Sequence, residues 1–307
     1  MAGFLEGKNI AITGAGRGIG RAVALACAEA GANVVVGDYG VSMDGSDPSS
    51  DVADEVVKEI ANLGGQAVAV AGDVSTMEGG AAVVRAAVDN WGSIDGVVCP
   101  AGILRERMLF NMSEDEWDPV IAVHLKGHFS VFRAASAVMR EQRSGTLIGF
   151  TSGAFQGSIA QSNYSAAKGG VVSLVRSAAV GLAKYGITAN AIAPVARTRM
   201  SANVPGDLAE MGDAEDVAPM VVYLLSDQAR HITGQIYTVV GGKIAVWNQP
   251  REVRSMHKDG RWTPDEIAAS IDGTVGVEKM PIFDILEQMA KRRAEKQAAG
   301  DNGDTKE

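Results

Sequence analysis

Eight residues, Thr13-Gly14-Ala15-Gly16-Arg17-Gly18-Ile19-Gly20, separate a short apolar run at 9–12 from a longer helical pattern at 19–30. Glycines at 14, 18 and 20 let the backbone turn tightly and approach another group with no Cβ in the way. The helix that opens there leaves its first N–H groups without intrahelical partners. Such an end attracts negative charge, and a pyrophosphate fits it well. The spacing is T-G-x-x-x-G-x-G rather than the commoner G-x-G-x-x-G, and the alternative reading is an ordinary tight strand-to-helix turn.

Downstream, the alternation of strand and helix repeats. Apolar strand patterns fall at 33–37, 67–71, 96–99, 146–150 and 188–192, and helical patterns at 52–63, 79–91, 117–140 and 164–184. The strands read as continuous apolar runs, as expected when helices cover both faces of a parallel sheet. The expected fold class is therefore α/β: a doubly wound parallel sheet in a Rossmann-like three-layer αβα arrangement, with ligands beyond the carboxyl ends of the strands. Residues 1–249 form this domain. Residues 250–307 read as a C-terminal extension with a helix start at 262–266 and a charged final run at 290–307 that reads as a solvated tail.

With 46% hydrophobic residues among 307, the chain can bury a large aliphatic core. A formal charge of -9 repels polyanions, so nucleic acid is not expected as a partner. The two cysteines, Cys27 and Cys99, lie in a helical and a strand pattern, which suits free thiols in a reducing compartment. No leader pattern opens the chain and no uninterrupted apolar run of membrane-spanning length follows, so a cytoplasmic protein with no membrane partner is expected. No metal site is expected.

Four groups of residues carry chemistry. Asp38 closes the second strand, 24 residues after Gly14. A carboxylate there accepts both ribose hydroxyls of an adenosine and repels a 2′-phosphate, favouring NAD over NADP; alternatively it forms the turn in Gly-Asp-Tyr-Gly. Asp73-Val74 follows the third strand, where it either reaches an adenine or caps the next helix. Tyr164 and Lys168 stand four apart on one helical face, so an ammonium beside the phenol favours the phenolate. Thr151-Ser152 closes the fifth strand and offers hydroxyls to a substrate oxygen.

Together with Cys99-Pro100-Ala101-Gly102 and Asn190-Ala191-Ile192-Ala193-Pro194, these motifs resemble the short-chain dehydrogenases/reductases over roughly residues 5–245. The resemblance implies hydride transfer between a nicotinamide and a carbinol carbon, with Tyr164 taking the hydroxyl proton and Lys168 lowering its pKa while holding the ribose. It implies cofactor contacts from Gly14, Arg17, Gly18, Ile19, Gly20, Asp38, Asp73, Val74, Ala101, Gly102, Tyr164, Lys168, Pro194 and Thr198. The family's serine stands 13 residues before its tyrosine, which lands on Thr151, whereas chemistry favours Ser152 at 12. Pro100 removes a backbone donor where the family has asparagine. His124 stands where a relay asparagine is usual; it serves as a proton relay or as a structural histidine.

The segment at 101–129 is similar to a narrower branch, the (3R)-hydroxyacyl-CoA dehydrogenase units of peroxisomal multifunctional enzyme type 2 and bacterial relatives, as are the loop after Asp38 and the stretch at 260–266. This implies a 3-hydroxyacyl-CoA substrate, with a bulky or steroid-derived acyl group. Arg105, Arg107, Arg197 and Arg199 then either meet CoA phosphates or are solvated surface residues. A free steroid, terpenoid or alicyclic alcohol is the alternative substrate, and a non-catalytic NAD-binding scaffold the alternative role. The small, apolar face of the helix at 166–183 resembles the family's self-packing helices, and the resemblance implies a homodimer or homotetramer; a face shielded by the C-terminal extension would read the same.

Overall fold

The computed structural model describes residues 3–42, 45–46, 51–198, 211–276, 280–284, 286–288, 290–291 and 295. Arg199 and nearly all of the charged final run lie outside the described residues. The chain divides into two compact units, Met1–Trp247 and Asn248–Glu307.

The first unit is a mixed sheet of eight strands: β1 (Asn9–Thr13), β2 (Asn33–Gly37), β3 (Ala67–Val70), β4 (Gly96–Cys99), β5 (Gly145–Phe150), β6 (Ile187–Pro194), β7 (Ile236–Val240) and β8 (Lys243–Val246). Their order is β3-β2-β1-β4-β5-β6-β7-β8, parallel except for the β7–β8 hairpin. Strand order reverses between β1 and β4, so a crevice opens at their carboxyl ends. This is the doubly wound α/β fold that the alternation of strand and helix predicts.

Helices α1 (Gly18–Glu29), α2 (Asp51–Asn62), α3 (Met77–Trp91), α4 (Glu114–Ile121), α5 (Gly127–Gln142), α6 (Ser162–Leu182) and α7 (Ala218–Leu225) cover the sheet. Two aliphatic cores result. One joins α1, α2 and α7 to the sheet through Val23, Val56 and Val221, and the other joins α3, α5 and α6 to it through Val83, Phe132 and Val175. By length and composition, α6 with its following turn (Ser162–Tyr185) is long and apolar enough to cross a membrane. Here it packs against β6 and carries Tyr164 and Lys168.

Three elements depart from the sequence pattern. The helix expected at 117–140 is broken into α4, a π-helical turn (Ala122–Lys126) and α5. Single π turns inside helices recur at functional sites, and this one holds His124. Beyond residue 192 the sequence reading named neither α7 nor the β7–β8 hairpin. In the second unit α8 (Pro264–Ser270) starts with a capping box between Thr263 and Glu266, at the helix start read from sequence.

Helices α3 and α5 cross closely because Gly80 has no side chain: a Cβ there would lie 2.2 Å from Ser130 Oγ and 2.8 Å from its backbone carbon. Ser130 is buried and donates its hydroxyl to Val74 O at 2.8 Å. Gly80→Ala is therefore expected to destabilise by about 1–3 kcal/mol through overpacking. Urea unfolding checks this, with a lower midpoint at an unchanged m-value.

Candidate active site

The glycine turn lies at the end of β1. Gly14 has φ +61°, and a Cβ on it would come 2.6 Å from Ala101 Cα; one on Gly20 would come 2.0 Å from Gly14 O. Backbone therefore touches backbone across the β1–β4 crevice. The N-terminus of α1 carries no side-chain cap at Arg17 and no acid in its first turn, so Gly18, Ile19 and Gly20 begin a helix whose positive end is not neutralised by a side chain. Arg17 is exposed and its guanidinium meets Val41 O at 3.4 Å.

Asp38 follows β2. One carboxylate oxygen accepts Gly16 N–H at 2.7 Å and the other accepts Gly40 N–H at 2.6 Å. The carboxylate therefore closes its own turn and reaches the glycine loop. Asp73 accepts Ser75 N–H at 2.9 Å, whereas the cap of α3 is Thr76, which accepts Gly79 N–H at 2.9 Å. The helix-cap reading of Asp73 is corrected accordingly. Val74 is buried; Pro194 ends β6, and Thr198 lies 3.6 Å from the space a Gly18 side chain would fill. A dinucleotide fits this set: a turn packed backbone to backbone at Gly14 and Gly20, an uncapped helix start that suits a pyrophosphate, and a carboxylate just after β2.

Tyr164 and Lys168 come together from the first turns of α6. The amine lies 5.4 Å from the phenol ring centroid, fully buried, and donates to Phe150 O at 2.7 Å. Burial holds the Lys168 amine down at about 7, partly offset by the Cys99 thiol nearby. Burial likewise raises the Tyr164 phenol, and a hydrogen bond with Ser152 pulls it back. Desolvation is the larger of the two effects on the phenol, and the lowering one comes from Ser152.

The two candidate hydroxyls separate cleanly. Ser152 is the neighbour that lowers the phenol's pKa, and its Oγ accepts Ala154 N–H at 3.3 Å. Thr151, which the family spacing favoured, spends its buried hydroxyl on Lys168 O at 2.9 Å and so ties β5 to α6.

His124 is buried in the π turn, edge-on to the Tyr164 ring with centroids 5.1 Å apart. Its Nε2 lies 2.8 Å from Ile103 O and 3.2 Å from Ile103 N; the shorter contact makes it a donor to the carbonyl. Nδ1 then carries a lone pair with no hydrogen-bond partner among the described residues. Burial and the Lys168 charge hold His124 well below the usual imidazole range, so it is neutral.

Sequence reasoning missed His128 and Asn163. His128 Nδ1 donates to His124 O at 2.5 Å and Nε2 accepts Phe150 N–H at 3.0 Å, which fixes the tautomer. The His-x-x-x-His spacing on one helix face was the available signal. Asn163, beside Tyr164, is also buried. Three of the arginines considered for CoA are engaged: Arg105 donates to Asp115 O, Arg107 pairs with Glu116 and Arg197 with Asp213.

Residues 14–243 match the family described as enoyl-(acyl carrier protein) reductase. The chain is 41% identical over 284 residues to hydroxyacyl-CoA dehydrogenase ChsB1 of Mycobacterium tuberculosis, covering 87% of this chain and 88% of that one. It is 42% identical to mouse peroxisomal multifunctional enzyme type 2 over 78% of this chain but only 32% of that protein. A crystal structure of a short chain dehydrogenase from Mycobacterium avium superposes with a TM-score of 0.81 at 44% identity, covering 90% of this chain and 97% of that one. The chain belongs to the short-chain dehydrogenase/reductase family, and is an oxidoreductase acting on CH–OH groups with a nicotinamide cofactor.

Burial pushes His128 down to about 3. The unfolded chain, with histidine near 6.5, therefore binds more protons between about pH 3 and 6.5, and this group's contribution to stability falls as pH drops through that window. Denaturation midpoints measured from pH 7 to 4 are expected to decline less steeply in His128→Asn than in the parent.

Proposed function

We propose that the protein is an NAD-dependent dehydrogenase interconverting a 3-hydroxyacyl-CoA and its 3-keto form. The observation that carries this reading is the convergence of the Tyr164 phenol, Ser152 and the Lys168 amine at the carboxyl end of β5, in a sheet whose β1 ends in the glycine turn. When bound, the nicotinamide supplies the hydride acceptor or donor; every other task falls to the protein.

Tyr164 exchanges the proton of the substrate oxygen. A phenol raised by burial keeps its proton near neutrality, which suits donation to a ketone in the reductive direction; the same oxygen takes the proton back in oxidation. Ser152 holds the substrate oxygen and the phenol together. Lys168, in its ammonium form, stabilises the phenolate and holds the nicotinamide ribose. His124, neutral and with Nδ1 unpartnered, relays the proton outward.

Gly14, Arg17, Gly18, Ile19 and Gly20 bind the pyrophosphate, Asp38 the adenosine ribose, and Asp73 and Val74 the adenine. Ala101 and Gly102 line the cofactor crevice, and Pro194 and Thr198 hold the carboxamide. Residues 1–249 carry all of these roles, with 250–307 as an appendage.

The substrate class rests on relatives named for hydroxyacyl-CoA and 3-oxoacyl-[acyl-carrier-protein] chemistry. Exposed Met108, Leu109, Phe110 and Ile159 also support a bulky acyl group. They follow or precede the bridge between Arg107 and Gln161, three residues from Tyr164. Free buried thiols suit the cytoplasm, and exposed Val180 on α6 suits a homodimer or homotetramer.

NAD reduction with a 3-hydroxyacyl-CoA is expected to exceed that with the corresponding free hydroxy acid by at least about tenfold in kcat/KM, and Tyr164→Phe should lower kcat by roughly 10²–10⁴ while dinucleotide binding persists. Equal rates on both substrates would instead favour a free alcohol.

Asp38→Ala removes the carboxylate that repels a 2′-phosphate. The ratio of kcat/KM for NAD to that for NADP is expected to narrow by about tenfold or more. An unchanged ratio places cofactor choice elsewhere.

A further inference from the structure

Tyr164 lies in the first turn of α6, where its N–H is among the donors that a helix leaves unpaired. The residue preceding this helix, Gln161, makes no side-chain cap, and the first intrahelical bond runs only from Ser165 N–H to Gln161 O at 2.8 Å. Asn163 takes over this task. Its Oδ1 accepts Tyr164 N–H at 2.7 Å, while its Nδ2 donates to Arg105 O at 2.8 Å and to Glu116 O at 2.7 Å. Both amide donors and the amide oxygen are thus used, and the side chain is buried.

The three partners belong to three walls of the site. Arg105 lies in the segment after β4 that continues from Gly102 and carries Ile103, the hydrogen-bond partner of His124. Glu116 lies in α4, which leads into the π turn holding His124 itself. Tyr164 is the proposed proton-transfer group. We propose that Asn163 is a positioning residue for the reaction, a three-way clamp that sets the Tyr164 phenol against His124 and the substrate-side loop. An asparagine is required because only a primary amide offers two donors and one acceptor in this small volume.

Asn163→Asp tests this, because it keeps shape and the acceptor for Tyr164 N–H but turns two donors into lone pairs facing two carbonyls. At pH 8 kcat is expected to drop about tenfold or more, with NADH affinity by fluorescence titration within about twofold of the parent. The ratio of variant to parent kcat should then rise toward pH 6, because a protonated carboxyl regains one donor. A kcat within about twofold of the parent, or a loss of NADH affinity as large as the loss of kcat, would overturn the proposal. If Asn163→Asp does not fold, Asn163→Ser decides by the same pair of measurements, with a smaller expected loss of kcat.

The proposal rests on the catalytic reading of Tyr164, not on the substrate class, so the assay uses whichever thioester or free alcohol is turned over. Tyr164→Phe, run alongside, separates the two readings. If Tyr164→Phe keeps its rate, the catalytic reading of the phenol fails and the positioning role falls with it; if Tyr164→Phe loses its rate while Asn163→Asp stays within about twofold of the parent, the clamp alone is overturned.

Discussion

One residue at the end of β5, Phe150, has both of its backbone polar groups held by buried side chains from different helices. His128 of α5 accepts its N–H, and Lys168 of α6 donates to its carbonyl. The next residue, Thr151, passes its hydroxyl to Lys168 O and its N–H to Ile192 O. Buried backbone groups left unpaired cost free energy comparable to a lost hydrogen bond, so this knot specifies where α5 and α6 stand along the strand. The heights of Tyr164, Ser152 and His124 follow from it.

The same knot sets the electrostatics. Lys168, His124, His128 and Cys99 are all buried around it, and burial disfavours the charged form of each. Both histidines are neutral, the thiol is pushed up to about 12, and the amine comes down to about 7. Polarity at this site therefore comes from oriented neutral groups, with a single titratable cation close to neutrality. Such fixed dipoles in a dry setting stabilise developing charge without reorganising.

Much of this was legible in the chain. The glycine turn, Asp38 and the Tyr164/Lys168 pair sit where local rules place them, because each depends on strand and helix periodicity over a few residues. The contest between Thr151 and Ser152 was not, since the two differ only in which way the end of β5 points each hydroxyl. The π turn was hidden because one inserted residue barely disturbs a helical pattern, even with Pro119 nearby. The role of Asn163 depends on carbonyls 47 and 58 residues away, which no local pattern reveals. The β7–β8 hairpin did have a signal, the Gly241-Gly242 pair between two β-rich runs.

The contact of Gly14 with Ala101 across the β1–β4 crevice makes this part of the crevice floor largely main chain. Main chain anchored in two central strands has no rotamers to freeze, so a ligand settling there pays little conformational entropy on the protein's side. Affinity at this floor is then governed by fit and charge, and side-chain changes tune it only from the rim.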